Sequence, residues 1–127
     1  MVAWSEYKKH AEERGSLAFE VYVAVSTPVM GPEAVREVLP DHLAYLQSLE
    51  REGRIMFAGP LSDESGDTME GVGMLVLRAA SLEEARELAE NDPMHVTGAR
   101  SYSLRRWLIN EGSLNLTVGL STGGLRL

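Results

Sequence analysis

Residues 19–25 read Phe19-Glu20-Val21-Tyr22-Val23-Ala24-Val25, and every odd position in them carries a β-branched or aromatic side chain. Alternation with a period of two residues predicts a β-strand. We expect the odd positions to face the core. The even positions would then form a second face that is only partly polar, since it carries Glu20, Tyr22 and Ala24.

Helices are predicted on both sides of this strand. Ser5 is expected to cap a short helix over residues 5–14. A second helical stretch opens at Gly31-Pro32-Glu33 and stops at Gly53, and within it Pro40 either kinks the helix or starts a new one. A third helix is predicted by the capping box Ser81-Leu82-Glu83-Glu84, in which a serine is followed three residues later by a glutamate.

The remaining chain contains several strand patterns. We expect strands at residues 54–61, 71–77 and 100–109, with a polar acidic loop at 62–70. A possible fifth strand is indicated by the alternating apolar residues Leu114, Leu116, Val118 and Leu120. We expect this segment to add an edge strand to the sheet of its own or of a partner subunit.

The element order βαββαβ is typical of an α+β fold, the ferredoxin-like plait, in which both helices cover one face of a four-stranded antiparallel sheet. A length of 127 residues fits one domain, with a core at about 18–109, an N-terminal helix at 5–14 and a C-terminal extension at 110–127. The second sheet face is expected to pack against another copy, giving a homodimer, because it would carry Tyr22, Ala24, Met74, Val76, Tyr102 and Leu104.

Composition and charge narrow the function classes. The net charge of −7 repels phosphate backbones, so nucleic acid is not an expected partner. No apolar run approaches the roughly 20 residues that span a bilayer, so a membrane is not expected either. The chain has no cysteine, which excludes disulfides and thiolate metal sites and makes the cytoplasm the default location. No phosphate-binding loop or nucleophile elbow is present, and we expect no cofactor.

His42 is the most informative polar residue, because it falls on the apolar helical stripe of Leu39, Leu43 and Leu46. An imidazole in such a stripe needs a hydrogen-bond partner. The best candidates for the partner lie at the end of the third helix, in Asn91-Asp92-Pro93-Met94-His95, and the predicted fold could bring the carboxylate there and His42 together. A histidine held by a carboxylate is a candidate general base, whereas a histidine with both nitrogens bonded is an ordinary core residue.

Asp92 and His95 also have two interpretations each. Asn91-Asp92-Pro93 is a common helix-stop sequence, in which the aspartate bonds only local backbone. His95 could line the same pocket as a second proton donor. It could also bind a divalent metal with His42 and Asp92, but that signal is weak because the spacing is not that of a helical metal site.

Four motifs follow one another along residues 18–109. They are His42-Leu43-Ala44-Tyr45-Leu46, Gly53-Arg54-Ile55-Met56-Phe57-Ala58-Gly59-Pro60-Leu61, Ser81-Leu82-Glu83-Glu84-Ala85 and Asp92-Pro93. Their order and spacing resemble those of the YCII-related (YciI-like) proteins. The resemblance implies the fold of that family, a dimeric α+β barrel related to muconolactone isomerase.

The same resemblance implies a site. The family has a histidine and an aspartate as a proposed catalytic pair, which match His42 and Asp92, and its Ala-Gly-Pro turn would place Gly59 and Pro60 beside the pocket. One relative acts as a dehydrochlorinase on a chlorinated hydroxyquinol. The N-terminal helix, His95 and the tail after Trp107 depart from the short members of the family.

Further pocket candidates come from the strands. Tyr22, Arg100 and Tyr102 could orient an anionic or phenolic substrate through charge-assisted hydrogen bonds, although dimer packing explains them equally well. The leading hypothesis is a cofactor-independent enzyme of lyase or isomerase type, with His42 as base and Asp92 orienting it. The degradation of aromatic compounds is a candidate role for such an enzyme. The alternative is a non-catalytic dimeric module that binds a small ligand or a protein. An open pocket beside His42 would favour the enzyme.

Overall fold

The computed structural model describes residues 1–127. Its elements in chain order are α1 (Trp4–Glu13), β1 (Phe19–Pro28), α2 (Pro32–Arg51), β2 (Ile55–Pro60), β3 (Gly73–Leu77), α3 (Leu82–Glu90), α4 (Pro93–Val96), β4 (Arg100–Ile109), β5 (Thr117–Val118) and β6 (Leu125–Arg126). β1 to β4 form one four-stranded sheet in the order β2-β3-β1-β4, and β3 pairs antiparallel with both β1 and β2. This is the predicted α+β plait.

The chain forms two compact units, one of residues Glu20–Trp107 and one of Met1–Phe19 with Leu108–Leu127. The core of the larger unit lies between the sheet and the helices α2 and α3. It is built from Tyr22, Ala24, Leu49, Leu75, Leu77, Ala85 and Leu88. The expectation of a single domain over 1–127 stays a prediction.

This core corrects the predicted faces of β1. Tyr22 is 3% exposed and lies under the helices with Ala24, so the even positions and not the odd ones face the helices. The odd position Val23 pairs with Val76 on the opposite face. Alternation predicted the strand correctly, but both of its faces are apolar, so the pattern contained no signal for which face the helices would cover. Leu104, also assigned to the second face, packs against the same core.

The second helix is continuous across Pro40. Because proline lacks the backbone N–H of a helix interior, position 40 gives no hydrogen bond to the carbonyl of Arg36, but the helix continues to Arg51. Gly53 follows with a positive φ of 72°, which ends the helix as predicted. His42 therefore lies in the middle of a helix, and the alternative in which Pro40 starts a new helix is wrong.

The third helix begins as the capping box predicts. The Glu84 backbone N–H donates to the Ser81 side chain at 3.1 Å, and the Glu84 carboxylate accepts from the backbone N–H of Ala80. None of the helices in the chain is both long enough and apolar enough to cross a lipid bilayer.

The smaller unit contains α1 and the C-terminal segment. Ala11, Ala18 and Leu108 are buried together, with Trp4 packed against them. The helix begins at Trp4, and its N-cap Ala3 makes no side-chain hydrogen bond. Ser5 therefore lies inside the helix, and the prediction that Ser5 caps it is wrong.

The C-terminal segment also differs from its prediction. β5 pairs only with β6, in a separate two-stranded sheet, so it adds no edge strand to the sheet of its own subunit. The chain turns back between Gly119 and Gly124, where the Gly119 N–H donates to the Gly124 carbonyl at 2.7 Å. Pairing with a nearby segment closes a short loop and costs less entropy than reaching a distant strand.

Candidate functional site

The side chains of His42 and Asp92 meet, as predicted, although they are fifty residues apart. His42 Nδ1 lies 2.8 Å from Oδ1 and 2.9 Å from Oδ2 of the Asp92 carboxylate. His42 is carried by α2, and Asp92 occupies the bend between α3 and α4. The contact exists because these helices pack on the same face of the sheet.

Asp92 has the local role expected of a helix stop in addition to its contact with His42. It caps α4, since its Oδ1 accepts from the backbone N–H of Met94 at 2.9 Å. The residue is only 2% exposed. A buried carboxylate needs such donors, and it only accepts hydrogen bonds, so the proton between the two side chains belongs to Nδ1 of His42.

A cavity of about 470 Å³ opens beside His42. Its volume is in the range of small-molecule sites. Its walls are mostly apolar, and the polar side chains among them are those of Ser26, His42 and Arg100. The complete lining is Ser26, Val35, Leu39, His42, Leu43, Leu46, Ala58, Gly59, Pro60, Met69, Gly71, Val72, Gly73, Met74, Leu75 and Arg100.

The position of His42 leaves one ring nitrogen for the cavity. Nδ1 is held by Asp92, while Nε2 has no protein hydrogen-bond partner, and the side chain is 19% exposed. In the neutral ring, the Nδ1–H tautomer leaves the lone pair on Nε2. His42 can therefore accept a proton from a molecule in the cavity.

Arg100 supplies the positive charge of the cavity. Its Nε donates to Ser26 Oγ at 2.9 Å and its Nη2 to the Ser26 carbonyl at 2.8 Å, and Nη2 also donates to the Gly71 carbonyl. Burial lowers the pKa of the Arg100 guanidinium, and the nearby Asp92 carboxylate opposes this by raising it. The group remains a cation, with Nη1 as the nitrogen that has no protein acceptor.

The profile of the YCII-related domain matches residues 4–108, which is most of the chain. The chain belongs to the YCII-related family.

Relatives of this YCII-related protein include an uncharacterized protein, YjpA, of Bacillus subtilis (strain 168). It is 32% identical over 76 residues, which cover 60% of this chain and 82% of the relative. A similar solved structure is that of 5-chloro-2-hydroxyhydroquinone dehydrochlorinase from Burkholderia phenoliruptrix AC1100, in complex with 2,5-dihydroxybenzoquinone. It has a TM-score of 0.56 and 24% identity, and the match covers 68% of this chain and 92% of that one. This likeness shows a shared fold, the YciI-like α+β barrel fold.

Not every predicted pocket residue of the YCII-related protein lies at the cavity. Gly59, Pro60 and Arg100 line it. Tyr22 does not, because it is buried in the core between the sheet and the helices.

His95 and Tyr102 lie behind the cavity wall and not on it. The His95 ring bonds Ser26 Oγ through Nε2 at 2.8 Å and the Ala89 carbonyl through Nδ1 at 2.6 Å. The centroid of the Tyr102 ring lies 4.6 Å from that of the His95 ring. The pKa of Tyr102 is raised by burial and by hydrogen bonding to Glu90. The prediction that the two side chains line the cavity is wrong, because Ser26 stands between His95 and the cavity.

The alternative in which His95 joins His42 and Asp92 in a metal site does not form. His95 points its Nε2 at a hydroxyl and not at the space beside His42. The chain brings together no group of three or more histidine and carboxylate side chains suited to a metal ion.

The sequence did not predict that Ser26 lines the cavity, nor that Leu39 and Leu43 form part of its apolar walls. Ser26 is 4% exposed and continues the even-numbered face of β1 one position beyond the predicted strand. Leu39 and Leu43 were assigned to a core-facing stripe, but they are 39% and 48% exposed and line the cavity. A polar residue in the same stripe was the available signal that the stripe borders a ligand site.

Proposed function

We propose that this YCII-related protein is a cofactor-independent enzyme that transfers a proton on a small cyclic or aromatic-derived molecule, as a lyase or isomerase. His42 is the general base and Asp92 orients it. The observation that carries the proposal is the His42 ring, whose Nδ1 is fixed by Asp92 while Nε2 remains available at a cavity of about 470 Å³. This arrangement corresponds to a base and its orienting carboxylate.

The other partly buried histidine, His95, provides a comparison within the same protein. Both ring nitrogens of His95 are bonded to protein atoms, as expected of a histidine without direct contact to a ligand. His42 has one bonded nitrogen and lines the cavity. His42 therefore has a nitrogen available to a molecule in the cavity, whereas both nitrogens of His95 are occupied by protein atoms.

The lining supports a particular ligand class. Apolar walls favour a compact ring over a polyphosphate or an extended charged chain, because burying charge without partners is costly. Arg100 supplies a single cation that can donate charge-assisted hydrogen bonds to one anionic oxygen of a phenolate, an enolate or a carboxylate. The ligand of the related dehydrochlorinase structure, 2,5-dihydroxybenzoquinone, belongs to this class.

The chemical step follows from these positions. His42 Nε2 takes a proton from a carbon or oxygen of the bound ring, and the imidazolium that forms is stabilised by the Asp92 carboxylate. Arg100 stabilises the negative charge that the proton leaves on the ligand oxygen. A lyase expels a leaving group from this anion, and an isomerase returns the proton at another atom.

The proposal is tested by proton exchange at carbon. The probes are 2,5-dihydroxybenzoquinone and a panel of hydroxyquinols, lactones and cyclic acids, incubated in D₂O and followed by loss of the C–H signal in ¹H NMR. The wild-type protein should accelerate exchange of at least one probe. His42→Ala should lower this rate by about 10²-fold or more. His10→Ala is the matched control, because His10 is exposed on α1, and it should exchange at the wild-type rate.

Two results would contradict the proposed enzymatic function. One is a folded His42→Ala protein that exchanges protons at the wild-type rate. The other is a probe that binds the wild-type protein in calorimetry while no member of the panel exchanges, which would identify the non-catalytic binding module instead.

We also propose a homodimer formed through the sheet face opposite the helices, and a cytoplasmic location. Val23, Val76 and Phe57 lie side by side on three strands of this face. Val76 is already buried in the single chain, so the open part of the face is at Phe57. Phe57 is 47% exposed there, which supports its contact with another protein surface.

A further inference from the structure

A second histidine reaches the cavity through a hydroxyl. Ser26 lines the cavity, and its Oγ lies 2.8 Å from His95 Nε2 and 2.9 Å from Arg100 Nε. His95 Nδ1 is fixed on the Ala89 carbonyl at 2.6 Å. The cavity wall therefore carries a Ser26–His95 pair in addition to the His42–Asp92 pair.

The donors and acceptors in the hydrogen bonds that link Ala89, His95, Ser26 and Arg100 can be assigned from their chemistry. A carbonyl only accepts, so Nδ1 of His95 carries a proton and donates it to Ala89. The Arg100 guanidinium only donates, so Ser26 Oγ accepts from it. When His95 is neutral, its Nε2 accepts a hydrogen bond from the Ser26 hydroxyl. When His95 is an imidazolium, its Nε2 donates to Ser26 Oγ.

The second state has a consequence for the cavity. With two donors directed at its oxygen, from His95 and from Arg100, the Ser26 hydroxyl proton has no acceptor among these partners. Because Ser26 lines the cavity, the remaining direction for that proton is towards a bound molecule. The position of the Ser26 proton thus reports the charge of His95.

We infer that Ser26 is the acid partner of His42, donating a proton to an oxygen of the bound molecule, and that His95 is the positioning residue that resupplies this proton. The inference rests on the proposed function. It gives the cavity a base on one wall and an acid on another, which is what an isomerase-type transfer or the protonation of an anionic intermediate requires.

The step balances without any co-reactant. One proton leaves the ligand for His42 Nε2, and the bonding electrons remain on the ligand as an enolate. The Ser26 O–H bond breaks as the ligand O–H bond forms, and the His95 Nε2–H proton moves to Ser26 Oγ. The ligand has lost one proton and gained one, His42 is an imidazolium and His95 is neutral. Exchange with solvent restores both histidines.

Variants at Ser26 and His95 test the relay in the D₂O exchange assay. Ser26→Ala should lower exchange by about 10²-fold, and Ser26→Thr, which keeps the hydroxyl, should recover most of it. The matched control is Thr27→Ala, since Thr27 is the exposed neighbour on the same strand and should exchange at the wild-type rate.

Two His95 variants separate the relay from a structural role. His95→Asn keeps a donor for the Ala89 carbonyl but cannot reach Ser26, and His95→Gln can hydrogen-bond Ser26 but cannot pass a proton on. Both should lower exchange by a similar factor. A wild-type exchange rate in His95→Gln would overturn the relay, because it would show that a hydrogen bond to Ser26 is sufficient for exchange.

A readout that does not depend on turnover keeps the relay separate from the proposed function. In ¹⁵N-histidine spectra, a bound probe should move the His95 Nε2 resonance in the wild-type protein, and Ser26→Ala should abolish that change. A shift that persists in Ser26→Ala, or no shift in the wild type, overturns the relay whatever the exchange rates are. If only His42→Ala loses exchange, the proposed function holds and the relay is wrong. If His42→Ala exchanges normally, the proposed function fails, and the spectra decide whether the Ser26–His95 pair still senses the ligand.

Discussion

The Asp92 carboxylate stabilises two neighbours at once, the His42 ring and the first turn of α4. In Asp92→Asn the amide has a single acceptor oxygen, which the Met94 N–H can still use. Its NH₂ group would then face His42 Nδ1 and favour the opposite tautomer, in which Nε2 carries the proton. A ring protonated at Nε2 cannot serve as a base.

We therefore expect Asp92→Asn to lower the exchange rate by about 10²-fold or more while the protein stays folded. Urea unfolding and exchange should be measured on the same sample. Asp41→Asn removes the same charge from the exposed residue next to His42 and should leave both unchanged. A purely structural pair would instead lose about 1–3 kcal/mol of unfolding free energy with no specific change in turnover.

Gly71 lines the cavity at a backbone position that only glycine fits without strain. Its φ is +94°, and an added Cβ would lie 2.9 Å from Cγ of Pro28, a ring that cannot move aside easily. Gly66 has a similar φ of +84°, but nothing lies within 4 Å of its added Cβ. Comparing alanine substitutions at Gly66 and Gly71 therefore separates the cost of backbone strain from the cost of a steric clash.

Gly66→Ala should lower the free energy of unfolding by about 1 kcal/mol, and Gly71→Ala by clearly more. Gly71→Ala should also weaken probe binding, because the Gly71 carbonyl accepts from Arg100 at the cavity. Urea unfolding and calorimetry check both points. Equal losses of stability in the two variants would show that the contact with Pro28 contributes nothing.

Among the elements, α2 and α3 are joined by one polar contact next to the site. The Tyr45 hydroxyl, on α2, donates to the Leu88 carbonyl, on α3, at 2.7 Å. Burial raises the pKa of Tyr45, and the Asp92 carboxylate raises it further. Both effects disfavour the phenolate, which could not donate this hydrogen bond.

The sign of the pH dependence follows from that shift. Because the pKa of Tyr45 is higher in the folded than in the unfolded protein, its stabilising contribution is complete below the ordinary value of 10.0. Stability should fall as pH rises from there through the raised value. Tyr45→Phe should lower the unfolding free energy near neutral pH by about 1 kcal/mol. Urea unfolding between neutral and alkaline pH should show that the free energy of unfolding falls less steeply with pH in this variant than in the wild type. An equal fall in the two proteins would assign the pH dependence to other groups.

For the whole molecule, the proposed homodimer buries the part of the second sheet face around Phe57. Light scattering at micromolar concentration should give about twice the chain mass of 13.9 kDa. Phe57→Glu places a charge on this face and should give a monomer, since burying an unpaired carboxylate is costly. Val96→Glu makes the same change at an exposed residue of α4 and should leave the dimer intact. A monomeric wild-type protein would refute the homodimer.

Local sequence was sufficient for most of the elements. The capping box at Ser81, the stop at Gly53 and the strand Arg100–Ile109 depend on a few adjacent residues, and the structure has them as predicted. The pairing of His42 with Asp92 was also foreseen, because an imidazole in an apolar stripe requires a partner and the fold allowed few.

The composition of the cavity depended on long-range packing instead. Both faces of β1 are apolar, so only the position of the helices over the sheet determined that Tyr22 is core and Ser26 borders the cavity. His95 could have faced His42 or turned away from it. Its ring turned towards Ser26 and Ala89 because both partners satisfy a nitrogen there. The contact of Ser26 with His95 joins residues 69 positions apart, and that of Ser26 with Arg100 joins residues 74 apart. No local pattern encodes which of two apolar faces a distant helix will cover.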